Sequence, residues 1–162
     1  MEPRIDLMQN AFGGKLAKRL YAVHALLQEA GLPHATQNLV MLRASQINGC
    51  GHCIDLHSKE AAAAGETSTR LHLVAGWRHS TVFTEEERAA LALTEEATRL
   101  ADASEGVSDA TWAKASEYYG EDQLIALVTL IAMINATNRL AVTLNQLGGS
   151  YEPGVLAAAA AH

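Results

Sequence analysis

Between Glu121 and Leu147 the chain carries its most apolar long stretch, with charge only at Glu121, Asp122 and Arg139. A segment of this length is too long for one strand, and as a helix it is apolar on most sides, so other parts of the chain must cover it. Its densest run, Leu124 to Ile134, is broken by Thr129 and stops at Asn135. That falls well short of the roughly 20 residues a bilayer span needs, and the segment reads as a buried core helix rather than a membrane anchor. The fold must therefore supply a helical layer around it.

The rest of the sequence is consistent with such a layer. No stretch sustains a period-two alternation of β-branched residues, alanine is abundant, and aromatics make up only 5%. These features predict an all-α protein. With 162 residues, 49% of them hydrophobic, the chain suffices for a single core. No linker rich in Pro, Gly or Ser divides it, so residues 1–162 are expected to form one helical bundle of about seven helices.

The punctuation places those helices. Leu16, Leu20, Val23, Leu26 and Leu27 share a face of a first helix over about Lys15–Ala30, stopped by Gly31. Pro33 opens a second, about His34–Ile47, with Leu39, Leu42 and Ile47 inward; Asn48 and Gly49 end it. A third is expected over about Cys50–Ala64, closed by Gly65, and a fourth over about Ser68–Trp77, capped by Ser68 or Thr69. Thr84 followed by Glu85, Glu86 and Glu87 is a capping box with acidic charge at the helix start, and predicts a helix to about Asp102. Another begins at Ser108 or Asp109 and ends near Gly120. The longest runs from Glu121 to Leu147, closed by Gly148 and Gly149. The alanine-rich tail after Pro153 is read as a surface helix or a frayed end.

A bundle of this size covers an all-round apolar helix poorly, which predicts a homo-oligomer. The net charge of -6 opposes non-specific binding to nucleic acid or to an anionic membrane surface. The N-terminal MEPRIDLMQN has no basic region followed by an apolar core, so no secretory signal is expected and the cytoplasm is the expected compartment.

The chemistry concentrates at one place. The only two cysteines, Cys50 and Cys53, stand with His57 in a C-x-x-C-x-x-x-H pattern at a loop-to-helix junction. Residues three and four apart share a helix face, so the three side chains form one stripe. A helix N-terminus stabilises anions and favours the thiolate, the reactive form. Two close cysteines in a reducing compartment point to redox chemistry or to a metal site. For zinc, Cys50, Cys53 and His57 would supply three ligands, with His52, His72 or His79 as a fourth, since no second C-x-x-C exists. A third reading leaves both cysteines as small buried hydrophobes.

His57 is placed to take a thiol proton or to give one to a leaving alkoxide or hydroxide; the plainer reading bonds it to a backbone carbonyl. His52 lies off the stripe and would add positive character near the thiolates. Glu60, one turn beyond His57, would either orient it or pair on the surface with Lys59 or another cation. Trp77 and Arg78 read as packing and surface. Asn135, Asn138 and Arg139 interrupt the apolar helix and need partners.

The segments LRASQINGCGHCIDLHSKEA, GE, RLHLVAGWRHS, FTEEERAALALTEEAT and INATNRLAV together resemble the alkylhydroperoxidase D branch of the carboxymuconolactone decarboxylase-like family, over about Gln37–Val142. The resemblance implies an all-helical trimer or hexamer that reduces peroxides. It implies that Cys53 is the peroxidatic thiolate and Cys50 the resolving thiol, the pair passing through a sulfenic acid to a disulfide. It makes His57 a relay histidine and matches His52 to one that some members carry. The cysteine pair argues against the decarboxylase branch. No flavin, haem or nucleotide signature is present, so the expectation is no cofactor and no metal, with an external dithiol as reductant. One position departs: the family's relay glutamate, twelve residues before the first cysteine, is Asn38 here, beside Gln37. An amide hydrogen-bonds but does not exchange a proton as a carboxylate does. The alternative is a helical oligomer that senses oxidants, or holds zinc, without efficient turnover.

Overall fold

The computed structural model describes residues 2–155, and the surface helix or frayed end expected after Pro153 lies almost wholly outside them. The described residues form seven α-helices and no strand: α1 Ala11–Leu27, α2 His34–Ile47, α3 Gly51–Ala63, α4 Ser68–Leu73, α5 Glu85–Thr98, α6 Asp109–Ser116 and α7 Glu121–Thr143. Short 3-10 segments follow α1 (Gln28–Ala30), α4 (Val74–His79) and α5 (Leu100–Asp102).

The helix starts obey local chemistry. Asn10, Thr67, Thr84 and Ser108 each cap a helix through a side-chain oxygen. At Thr84 the box is complete, with Glu87 accepting from the Thr84 backbone N–H at 2.9 Å. The fourth helix is capped one residue earlier than expected, by Thr67, and tightens into 3-10 geometry at Val74. The end of α7 also comes early. Asn145 adopts a left-handed φ of 55°, and the N–H of Gln146 returns to the Ala141 carbonyl at 2.8 Å. This is a Schellman closure built on asparagine, so the helix stops before Gly148.

α2, rather than α7, is the helix covered on most sides. It packs against α3, α5 and α7. Its buried polar residues are paired internally: Gln37 donates to the Leu32 carbonyl at 2.7 Å and exchanges hydrogen bonds with Gln28, while Ser45 donates to the Met41 carbonyl at 2.7 Å. One core cluster joins Val40, Leu93, Leu127 and Ile131, and a second joins Leu39, Leu42, Trp77 and Leu91. Behind the second lies a buried carboxylate: Glu95 accepts from Arg43, Arg78 and the Trp77 indole. Those donors outweigh the cost of burial and keep its pKa low.

α7 is half covered. Counted over its full 23 residues rather than its densest run, it is long and apolar enough to cross a bilayer, but it buries Leu127, Ile131 and Asn138 against the bundle as a core helix does. Its other side leaves Ile125, Val128, Ala132, Ala136 and Val142 exposed. On α1, Leu26 does not join its expected partners and is 60% exposed.

Candidate active site

α2 ends by a second Schellman closure. Gly49 takes φ 64°, and the N–H of Cys50 folds back onto the Ser45 carbonyl at 3.0 Å. A β-carbon is costly in that conformation, which is why glycine stands there. Asn48, on the same turn, reaches into the bundle: its amide donates at 2.9 Å to the side-chain oxygens of both Asn135 and Asn138 on α7. Asn138 in turn donates to Ser45 at 3.1 Å, and Asn135 to Thr98 at 3.0 Å. Arg139 donates to the Asn135 carbonyl at 3.0 Å. The polar residues of α7 thus brace the turn that delivers the first cysteine.

Cys50 is the N-cap of α3, and Cys53 lies in its first turn. A disulfide joins them, with Cα atoms 5.3 Å apart. Both are buried, at 1% and 4% exposure, and pack on Ala141 of α7. His57 follows on the same helix, half-buried, and its ring makes no hydrogen bond to another described residue. Burial, then the nearby His24 and His52, lower its pKa to about 3. At neutral pH it is an uncharged base. His24, on α1, is the group that sequence reasoning missed; its own pKa is lowered by burial and by His34. No local motif marks it, because it approaches the site only through the packing of α1.

The other candidates are dispersed. His52 bonds through Nδ1 to the Leu147 carbonyl at 3.2 Å. Among the described residues Glu60 accepts from the Tyr151 hydroxyl and from the Gly154 N–H, and makes neither a hydrogen bond to His57 nor an ion pair. Asn38 lines a cavity of about 150 Å³ with His34, Ala61 and Glu66, at the end of the α2–α3 hairpin opposite the cysteines. Ala61, which lines that cavity with Asn38, is one turn beyond His57 on α3. His72 and His79 are exposed on α4 and the 3-10 segment after it. Among the described residues no three His, Cys, Asp or Glu side chains converge as metal ligands would. Trp77 is buried and Arg78 half-exposed over its ring, as expected of packing and surface.

Residues 14–96 match the carboxymuconolactone decarboxylase family. The uncharacterized protein YdfG of Bacillus subtilis is 33% identical over 123 residues, 76% of this chain and 82% of YdfG. A crystal structure of ATU0492 from Agrobacterium tumefaciens, of unknown function and provisionally assigned as an antioxidant defence protein AhpD, superposes with a TM-score of 0.81 at 31% identity. It covers 93% of this chain and 100% of its own. The debrominase Bmp8, at 17% identity, shares the fold with a TM-score of 0.69 over 82% of this chain and 70% of its own.

Proposed function

The chain belongs to the carboxymuconolactone decarboxylase family, in its alkylhydroperoxidase D-like, cysteine-bearing branch, and from that premise we propose that it is a thiol-dependent peroxidase. The observation that carries the reading is the Cys50–Cys53 disulfide at the start of α3, one turn from an uncharged His57. A pair this close opens and closes with little backbone movement, as turnover requires.

In the proposed cycle the Cys53 thiolate attacks the terminal oxygen of hydrogen peroxide or a small organic hydroperoxide. The O–O bond breaks, the leaving hydroxide or alkoxide takes a proton, and Cys53 becomes a sulfenic acid. The Cys50 sulfur then attacks the Cys53 sulfur, forming the disulfide and releasing water. His57 carries the proton of Cys50 to that leaving hydroxide. An external dithiol returns two electrons and two protons, itself ending as a disulfide. A dithiol supply suits a reducing compartment, and the cytoplasm is the proposed setting. The exposed stripe from Ile125 to Val142 supports assembly as a homo-oligomer, of trimer or hexamer size by resemblance.

One observation favours a second reading. With Asn38 in the relay position, proton transfer rests on His57, and the pair would then sense oxidants without efficient turnover. The test is peroxide consumption with dithiothreitol as donor, together with thiol counts before and after peroxide. A peroxidase consumes peroxide repeatedly, loses two thiols to an intramolecular disulfide, and is silenced by Cys53→Ser. Consumption that survives the substitution rejects Cys53 as the attacking group; loss of two thiols without turnover selects the sensor.

A further inference from the structure

After α7 the chain does not leave the molecule. Residues 147–154 run back along α3 and engage its outward polar side chains one after another. The Leu147 carbonyl meets His52 Nδ1 at 3.2 Å. Asp55 accepts from the backbone N–H groups of Gly149 (2.6 Å) and Tyr151 (3.0 Å). Lys59 pairs with Asp55 at 2.8 Å and donates to the Tyr151 carbonyl at 2.8 Å. Glu60 accepts from the Tyr151 hydroxyl and from the Gly154 N–H at 2.8 Å. A helix face whose ionic side chains are committed to the backbone of one short segment holds that segment in place.

The contact is tightest where the chemistry is. A β-carbon on Gly148 would stand 2.4 Å from the Gly51 carbonyl oxygen and 3.2 Å from the His52 nitrogen, so only glycine lets the two backbones touch there. Gly51 and His52 are the two residues between the cysteines, and both cysteines are buried. A disulfide is reduced by a thiolate that approaches along the S–S axis, breaks that bond and is released as the donor's second thiolate closes on it. A small dithiol needs only a crevice for this. A folded protein must bring a flat surface up to the C-x-x-C, and the segment stands on that flank.

We propose that the strap 147–154 is the specificity-determining element of the site, admitting small dithiols and excluding folded protein dithiols until it lifts from α3. Asp55 is its main latch. The inference rests on the dithiol-exchange half of the function proposed above, and not on peroxide as the oxidant.

The test uses the oxidised full-length chain. Reduction of the Cys50–Cys53 disulfide is timed with dithiothreitol and with a thioredoxin, for wild type, Asp55→Ala and Gly148→Ala, while amide exchange is followed over residues 149–154. Asp55→Ala removes the latch, and Gly148→Ala forces the strap away from Gly51, so each checks the other if one folds poorly. Both variants should exchange these amides faster. Both should gain about fivefold or more in the thioredoxin rate, the factor set by one ordinary net hydrogen bond, with the dithiothreitol rate nearly unchanged. Equal gains with both donors, no gain with either, or unaltered amide exchange overturns the proposal. Reduction that shifts as expected in a protein that consumes no peroxide leaves the strap standing and removes the peroxidase reading.

Discussion

Lowering the pH from 7 to 5 titrates His57 in the unfolded chain and hardly at all in the folded one, which gives a stability effect whose size and sign both follow from the site. The ordinary histidine pKa is 6.5 and the folded value is about 3. Protons therefore bind preferentially to the unfolded chain below pH 6.5, and stability is lost as the pH falls from there towards 3. Linkage over that interval gives a loss of about 2 kcal/mol at pH 5 relative to pH 7, an upper value because part of the ring reaches solvent. Carboxylates contribute little in this window, since their ordinary values lie lower. His24 adds a loss of the same sign. The assay is urea unfolding of wild type and His57→Asn at pH 7 and pH 5. The wild type should lose more stability than the variant, by close to the stated amount. Equal losses would mean that His57 is already solvated or protonated in the fold, and the case for an uncharged base beside the cysteines would fail.

Three further outcomes follow from other contacts. Glu95→Gln leaves Arg43 and Arg78 without their countercharge and should cost about 3 kcal/mol, read by urea denaturation, because a buried cation is stranded. Asn48→Ala strips Asn138 Oδ1 of its donor in the core and should cost about 1–3 kcal/mol in the same measurement; a neutral result would show that water replaces the amide. Asn38→Glu supplies a proton-exchanging group and should raise peroxide turnover, by roughly a hundredfold or more if it works as a positioned general base, with no gain refuting a relay through position 38.

The fold was largely legible because helices announce themselves locally. The Thr84–Glu87 box, Gly49, Gly65 and Pro33 act within a few residues of themselves, and the elements they delimit lie close to expectation. The errors are of another kind. Hydropathy singled out α7 as the helix in most need of cover and one that a single bundle covers poorly, and α7 is half covered; it gave no sign that α2 is the helix enclosed on most sides, because Thr36, Gln37 and Ser45 lower its apparent apolarity. Composition does not reveal that Gln37 and Ser45 are satisfied internally, so a buried polar residue looks like a surface one. The same blindness placed Glu60 beside His57 or in solvent, when its partners are Tyr151 and Gly154, more than ninety residues on.

The cysteine site divides along the same line. Spacing alone put Cys50, Cys53 and His57 on one stripe at a helix start, because the periodicity of a helix depends on nothing beyond the helix. What that stripe can do was decided by distant chain. Burial, and after it the His24 that α1 brings near, keeps His57 uncharged; α7 braces the turn through Asn135 and Asn138 and floors the disulfide with Ala141; the strap closes over Gly51 and His52. Local geometry needs only near neighbours in sequence, whereas desolvation, electrostatics and access depend on which remote segments pack there, and those are fixed only when the whole core forms.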